Sequence, residues 1–238
     1  GTPTGVQTLT YEICVAGICD TATVSVLVVD IEAVNDVGTR VDSNTGGEGV
    51  ANVLANDQLD GATATTSTVV LTQVSSSDAG VTLNTTTGAV DVAAGTPTGT
   101  QTVTYRICAV AAPSVCDTAT ADVEVVSIDA VDDTGATVDS SVGGEAVANV
   151  LVNDVVEGVP ATTSNVVLTL VSSSDAGVTL NTTTGAVDVA PGTPTGAQTL
   201  TYQICDAAAP SVCDTATVTV TVAGVTAGDD VGTTIDPV

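Results

Sequence analysis

Apolar and polar residues alternate along much of this chain with the period of two residues that a half-buried β-strand requires. The clearest example is the segment 102–125. Val103, Tyr105 and Ile107 share one phase there, the residues between them share the other, and a second limb, 116–125, alternates in the same way. This pattern predicts a β-hairpin with one face directed into a core and the other towards solvent.

The inner ends of the two limbs carry cysteines on the outward phase, and the same arrangement occurs three times in the chain. The three pairs are Cys14 and Cys19, Cys108 and Cys116, and Cys205 and Cys213. Facing residues of antiparallel strands have Cβ atoms about 5 Å apart, close enough for a disulfide bond worth roughly 2 to 3 kcal/mol. The rival interpretation is a metal held by two thiols, but zinc requires four ligands and the chain has no histidine. Three local disulfides indicate an oxidising compartment and therefore export.

A tandem repeat defines the domain organisation. The segment 74–93 recurs without change at 171–190, which is 97 residues later. The offset predicts four pieces of a longer array: the last two strands of a preceding repeat (1–30), two full repeats (31–127 and 128–224) and the first strand of a following repeat (225–238).

Turn residues divide each full repeat into about seven short strands. In the first repeat we expect strands near 36–41, 50–54, 68–74, 81–83 and 89–92, followed by the two limbs of the cysteine hairpin. Seven alternating strands in about 100 residues are typical of an immunoglobulin-like sandwich. The predicted fold class is therefore all-β, with tandem immunoglobulin-like, or cadherin-like, β-sandwiches arranged as an elongated rod.

Composition excludes several functions. The net charge of -26 would repel nucleic acid and anionic lipid surfaces. The chain has no histidine and no lysine, and its cysteines are all accounted for by the predicted pairs, so the usual bases and nucleophiles of an enzyme are missing. We expect neither catalysis nor insertion of this segment into a membrane, because no continuous apolar stretch could cross a bilayer.

Three motifs carry a resemblance to a known family. Ala130-Val-Asp-Asp133, Val150-Leu-Val-Asn-Asp154 and the cysteine hairpin of 200–222 resemble the cadherin-like or immunoglobulin-like tandem repeats of giant bacterial surface adhesins. The paired-cysteine variant is most similar to repeats of large Bacteroidetes surface proteins, including the mobile adhesin of gliding flavobacteria. The resemblance implies an extracellular filament at the cell surface that carries adhesive parts away from the cell.

Calcium at the junctions between repeats is common in that family, and acidic residues cluster where this chain passes from one repeat to the next. The candidate ligands are Asp30, Glu32, Asn35, Asp36, Asp57 and Asp60 at the first junction, and Asp129, Asp132, Asp133, Asp154 and Glu157 at the second. Carboxylate and amide oxygens are the ligands that calcium prefers. The alternative is a set of solvated acidic turns, since Asn and Asp favour turns on their own.

The resemblance also implies a modification. Asp-Thr-Ala follows the second cysteine of each pair and looks like the short sequence that Bacteroidetes use for O-glycosylation. The candidate acceptors are Thr21, Thr118 and Thr215, all on the outward phase. A plain strand, in which Thr is favoured, is the alternative interpretation.

The function predicted from these features is a structural stalk segment of a secreted surface adhesin, whose partners are neighbouring repeats of the same chain. A glycan or protein ligand would bind through other domains. Two alternatives remain: a self-assembling extracellular fibre or sheath subunit that associates laterally, and repeats that themselves bind a glycan or protein ligand.

Overall fold

The computed structural model describes residues 1–225 and 231–232 and divides into two compact units, Gly1–Ser127 and Ile128–Val238. Both units consist of β-strands, turns and one short 3₁₀ helix each. The all-β fold class is confirmed. The division into four pieces of a repeat array stays a prediction, and most of the segment 225–238 lies outside the described residues.

The chain begins with a hairpin of strands β1 (Gly5–Val15) and β2 (Ile18–Val28). The strands pair along their whole length, with Tyr11 opposite Ala22 and Cys14 opposite Cys19. They form a two-stranded sheet with no third strand in the described part of the chain.

The first full repeat follows, with eleven strands and one 3₁₀ helix. They are β3 (Ile31–Glu32), β4 (Asp36–Val37), β5 (Val41–Asp42), β6 (Gly47–Val50), η1 (Val53–Ala55), β7 (Gln58–Leu59), β8 (Ala62–Thr63), β9 (Val69–Ser76), β10 (Val81–Leu83), β11 (Val90–Val92), β12 (Gly99–Ala109) and β13 (Ala112–Val126).

Two sheets face each other across one core in this repeat. The larger has the order β4-β13-β12-β9, with β5 also paired to β13, and the smaller has the order β10-β11-β6. The pairs of β13 with β4 and β5 are parallel, and its pair with β12 is antiparallel. Val81 and Val90 of the small sheet and Val103, Ile107 and Val123 of the large sheet belong to a single buried cluster. The predicted immunoglobulin-like sandwich is confirmed by this arrangement.

Two predicted strands are wrong in extent. The expected strand 36–41 is interrupted, because only Asp36–Val37 and Val41–Asp42 are strands. The expected strand 50–54 ends at Val50, and Val53–Ala55 form the 3₁₀ helix η1. Val53 and Leu54 are consecutive and both buried, which a strand with alternating faces does not allow. The Asn52 side chain caps the helix by accepting a hydrogen bond from the Leu54 N–H at 3.0 Å.

A glycine makes this cap possible. Gly88 has φ +84°, and a Cβ there would lie 2.1 Å from the Asn52 Oδ1 atom. The Gly88 carbonyl also accepts the Val53 N–H at 2.9 Å, so the helix is joined to the turn that precedes β11. Any side chain at this position would displace the capping amide.

The second repeat has the same organisation. Its elements are β14 (Ile128–Asp129), β15 (Asp133–Thr134), β16 (Val138–Asp139), β17 (Gly144–Val147), η2 (Val150–Val152), β18 (Val155–Val156), β19 (Val159–Pro160), β20 (Val166–Ser173), β21 (Val178–Leu180), β22 (Val187–Val189), β23 (Gly196–Asp206) and β24 (Cys213–Ala223). Its large sheet has the order β15-β24-β23-β20, with β16 also paired to β24, and its small sheet has the order β17-β22-β21.

Candidate functional site: a buried tyrosine and aspartate network

Each full repeat contains a polar network inside its core, built around one tyrosine. Tyr105 lies on β12 between Val103 and Ile107, on the face that packs into the sandwich, and it is fully buried. Its hydroxyl oxygen lies 3.1 Å from Asp36 Oδ2 and 3.1 Å from Asp57 Oδ1. The network therefore places two carboxylates within hydrogen-bonding distance of one phenol, inside the entry end of the repeat.

The Tyr105 hydroxyl is surrounded by more acceptors than it can serve. The carbonyl oxygens of Val34 and Val53 lie 3.0 and 3.3 Å from it, in addition to the carboxylates of Asp36 and Asp57. A phenol has one proton to donate. The cluster is consequently rich in negative charge and short of donors.

Asp57 joins the loop after η1 to the segment that enters the repeat. It is 1% exposed, and its Oδ1 atom accepts the Val34 N–H at 2.7 Å. The neighbouring Asn56 amide donates to the carbonyl oxygens of Val34 and Asn35, both at 3.3 Å. These bonds satisfy the backbone of an irregular segment that has no strand partner at this point.

Asp117 makes the equivalent connection from the cysteine hairpin. Its Oδ2 atom accepts the Ala33 N–H at 2.8 Å. Two residues further along, Asn35 Oδ1 accepts the Thr120 N–H at 2.9 Å. The entry segment is thus attached to β13 as well as to the loop after η1.

The second repeat reproduces the network with equivalent residues, apart from one substitution. The Tyr202 hydroxyl lies 3.0 Å from Asp154 Oδ2 and 3.2 Å from Asp133 Oδ2. Asp214 Oδ2 accepts the Ala130 N–H at 2.9 Å. Asp132 stands where the first repeat has Asn35, and its Oδ1 accepts the Thr217 N–H at 2.8 Å.

Burial of the network aspartates and tyrosines shifts their pKa values. Burial raises the pKa of Asp36 to about 6, the hydrogen bond from Tyr105 opposes the rise, and the nearby Asp57 carboxylate adds to it. Asp133 has a pKa of about 6 for the same reasons. Burial also raises the pKa values of Asp57 and Asp154. Burial and the two adjacent carboxylates raise the pKa of Tyr105, so the phenol stays neutral and acts as a donor.

The predicted calcium ligands fall into two groups. Asp36, Asp57, Asp133 and Asp154 are the acids of the two networks. The other candidates lie at the exposed surface of the same ends: Asp30, Glu32, Asn35, Asp60, Asp129, Asp132 and Glu157. Asp60 Oδ1 accepts the Asp30 N–H at 2.9 Å, so these two residues are adjacent in space.

The donor chemistry suits calcium, but several of the candidate oxygens already accept hydrogen bonds. Asp57 receives the Val34 N–H and the Tyr105 hydroxyl, and Asn35 receives a backbone N–H. Only one group of three histidine, cysteine, aspartate or glutamate residues in the described part of the chain has ligand atoms within 4.8 Å of one another: Glu12, Cys14 and Cys19. Its two sulfur atoms are joined in a disulfide, so they are not metal ligands. Calcium would therefore have to bind to exposed carboxylates such as those of Asp30 and Asp60.

Sequence reasoning missed Asp117 and Asp214 as members of the networks. The sequence pattern places both only in the predicted glycosylation motif. The signal was present, because Asp117 shares the inward phase of Ala119 and Ala121. An acidic residue on the inward phase indicates a buried hydrogen-bonding role.

Three disulfides join the predicted cysteine pairs: Cys14–Cys19, Cys108–Cys116 and Cys205–Cys213. In each case the two cysteines face each other in the strand register. The threonines of the predicted glycosylation motifs, Thr21, Thr118 and Thr215, are exposed. Glycosylation of these hydroxyls stays a prediction.

Comparisons with known proteins find similarity to cadherin ectodomains among the solved structures. No family model matches the chain, and no curated protein matches it. Among solved structures, it is similar to extracellular cadherin domains 3-6 of Protocadherin Gamma B2, with 13% identity, a TM-score of 0.31 and coverage of 87% of this chain and 57% of that one. The human Desmocollin-1 ectodomain matches with 12% identity, a TM-score of 0.36 and coverage of 87% and 45%. Drosophila N-cadherin EC1-4 matches with 9% identity, a TM-score of 0.32 and coverage of 85% and 52%.

TM-scores in this range do not establish a shared fold by themselves. The chain also spans only about half the length of these neighbours. The assignment of immunoglobulin-like sandwiches therefore rests on the strand order and register within each repeat. In the described residues, no helix has the length and apolar character needed to cross a membrane.

Proposed function

We propose that this chain is a stalk segment of a secreted bacterial surface adhesin, of the kind found in Bacteroidetes, and that its role is to extend and space adhesive parts from the cell. The observation that carries the proposal is that the same closed unit occurs twice. Each repeat has its own buried apolar residues, its own disulfide and its own tyrosine network. The polar groups that could serve a reaction are used instead to hold the entry segment of each repeat.

The network supports a mechanical role. Tyr105, Asp57 and Asp117 attach residues 33–34 to two different parts of the sandwich. A pull on the chain that enters the repeat would load these hydrogen bonds together with the parallel pairing of β4 and β13. Breaking them exposes buried carboxylates and backbone groups at the same time, so we expect cooperative resistance to force.

Single-molecule pulling tests the stalk proposal. The chain should show two unfolding peaks, each releasing roughly 30 nm, because a repeat of about 97 residues extends by about 3.3 to 3.6 Å per residue. The Cys108→Ser/Cys116→Ser double variant is the internal control. Its first full repeat should release a longer piece of chain, because the disulfide no longer keeps the loop between these two residues closed. Unfolding without discrete peaks would refute a load-bearing role.

Calcium belongs to the proposal as a weak ligand of the exposed acids. The exposed carboxylates of Asp30 and Asp60 would bind the ion together with water, which would neutralise charge at the entry end of the repeat. Thermal unfolding with millimolar calcium and with chelator tests this. We expect a higher melting temperature in calcium for the native chain and no change for an Asp30→Asn/Asp60→Asn variant. An equal melting temperature of the native chain in both buffers would remove calcium from the proposal.

A specific observation favours a self-assembling fibre as the second candidate. The edge strands β9 and β20 lie within segments 61–77 and 158–174, which contain no charged residue in a chain of net charge -26. Val70 and Val74 are exposed on β9. Uncharged edge strands are the part of a sheet that pairs most readily with another chain. Sedimentation over a range of concentrations tests this, and a Val70→Glu/Val74→Glu variant should abolish any association that is seen.

A further inference from the structure

The first hairpin exposes a face that the corresponding hairpins of both full repeats bury. Leu9, Tyr11 and Ile13 of β1 are 67%, 46% and 64% exposed. The residues at the same places on β12 are Val103, Tyr105 and Ile107, and all three are 0% exposed. Surface of this composition costs free energy in water unless another element covers it.

The hairpin already has the conformation of its buried counterparts. Tyr11 is opposite Ala22 as Tyr105 is opposite Ala119, and Cys14 is opposite Cys19 as Cys108 is opposite Cys116. The apolar side chains therefore lie on one face in the same order as in a complete repeat. The surface is preformed, so little backbone ordering is needed for another element to pack on it.

The complete repeats show what covers such a face. β9 pairs antiparallel with β12, β4 and β5 pair parallel with β13, and the sheet of β6, β10 and β11 packs across the core. All of these elements belong to the segment between 36 and 92. No comparable set is left over for β1 and β2 in the described residues, since each such strand is paired within its own repeat.

The hairpin also carries one half of a tyrosine network. Tyr11 corresponds to Tyr105, and Asp20 corresponds to Asp117, which accepts the Ala33 N–H in the complete repeat. The other half of that network consists of Asp36 and Asp57, which approach the tyrosine hydroxyl from the covering strands. An apolar partner alone would bury the Tyr11 hydroxyl and the Asp20 carboxylate without hydrogen bonds.

We propose that the open face of the β1–β2 hairpin is a docking surface for the remaining strands of a third sandwich, supplied by a polypeptide segment of the same repeat class. That segment brings an antiparallel strand of the β9 type to the free edge of β1 and a parallel strand of the β4 type to β2. It also brings two aspartates, equivalent to Asp36 and Asp57, to the Tyr11 hydroxyl. A second copy of this chain does not fit, because its own strands of these types are already paired.

An extended chain tests the proposal. A copy of residues 31–94 placed directly before Gly1 keeps the register, because Gly1-Thr-Pro-Thr-Gly5 repeats the sequence of residues 95–99. We expect hydrogen exchange of the backbone amides of β1 and β2 to slow by roughly a hundredfold or more in the extended chain. Exchange of the same amides in the original chain should be fast and independent of protein concentration.

Two variants of the extended chain identify the chemistry. Replacing both network aspartates of the added copy by asparagine should reduce the protection of the hairpin amides, whereas Glu12→Gln, on the opposite face, should leave it unchanged. Fast exchange in the extended chain would overturn the proposal. Protection that rises with concentration in the original chain would also overturn it, because a second copy would then be the occupant.

Discussion

The hairpins β1–β2 and β12–β13 have similar sequences and the same register up to the disulfide, but very different surroundings. Ile107 is fully buried between two sheets, whereas Ile13, at the same place on the first hairpin, is largely exposed. Both hairpins close with a disulfide. The comparison shows that local sequence is sufficient to pair two strands and to sort their faces, while burial depends on strands from elsewhere in the chain.

The largest expected difference between the hairpins concerns an isoleucine. Ile107→Ala should lower the free energy of unfolding of the first full repeat by about 2 to 5 kcal/mol, because it leaves a cavity in a packed core. Ile13→Ala should change it by less than about 0.5 kcal/mol, as expected for a surface substitution. Denaturant unfolding of the two variants measures both values. Equal losses would mean that the first hairpin is covered in solution.

The second largest expected difference between the hairpins concerns the stability that their disulfides contribute. Cys108→Ser/Cys116→Ser should destabilise the first full repeat by roughly 2 to 3 kcal/mol, because the bond restricts the unfolded chain. The matched Cys14→Ser/Cys19→Ser variant should leave the melting temperature of that repeat unchanged. Calorimetry of both variants provides the measurement, and a comparable drop for the second variant would contradict the comparison.

Removal of the tyrosine hydroxyls should change the free energy of unfolding by a smaller amount. Tyr105→Phe removes the donor shared by Asp36 and Asp57, which should cost about 1 to 3 kcal/mol because a buried carboxylate loses a hydrogen bond. Tyr11→Phe removes a hydroxyl from an exposed side chain and should be neutral. Unfolding by denaturant again compares the pair. A neutral Tyr105→Phe would show that the network does not stabilise the repeat.

The smallest expected effect is a dependence on pH. The pKa of Asp36 is about 6 in the folded chain, against an ordinary value of 3.8. The folded state therefore binds a proton that the unfolded state does not between these values, so stability should rise as the pH falls from about 7 towards 4. Asp36→Asn should reduce this rise in stability for the first repeat. The rise for the second repeat should be unchanged, because it depends on Asp133.

Unfolding measured in chelator at several pH values tests this dependence. The variant is needed because a chain of net charge -26 also loses self-repulsion when acid is added. A native chain and an Asp36→Asn variant with the same pH profile would show that general repulsion, and not the network, controls the dependence.

Strand alternation was predictable because it is a local property. The inward phase of Tyr105 and Ile107 and the facing positions of Cys108 and Cys116 follow from a period of two, which the backbone of a strand imposes. The seven main strands of the sandwich followed from the same period together with turn residues. The extent of the strand at 50–54 did not, because an asparagine cap and the close approach of Gly88 convert its end into a 3₁₀ helix.

The candidate site was predictable only in part. The sequence marks Asp36 and Asp57 as acidic residues near a junction, and the structure places their carboxylates on a buried tyrosine. Asp117 also belongs to the network, and only its inward phase indicates this in the sequence. Which of several acids converge on one hydroxyl depends on three segments far apart in the chain, and no local pattern contains that information.

The sequence by itself determined the all-β class, the repeat of 97 residues, the disulfide pairs and the face that each strand of the hairpins presents. These properties depend on periodicity and on residues that are neighbours along a hairpin. Only the tertiary structure decided that Tyr105 and Tyr202 are held by paired aspartates while Tyr11 is left open. The physical reason is that burial and carboxylate titration depend on which distant strands pack against a residue, and packing is decided by the whole sandwich.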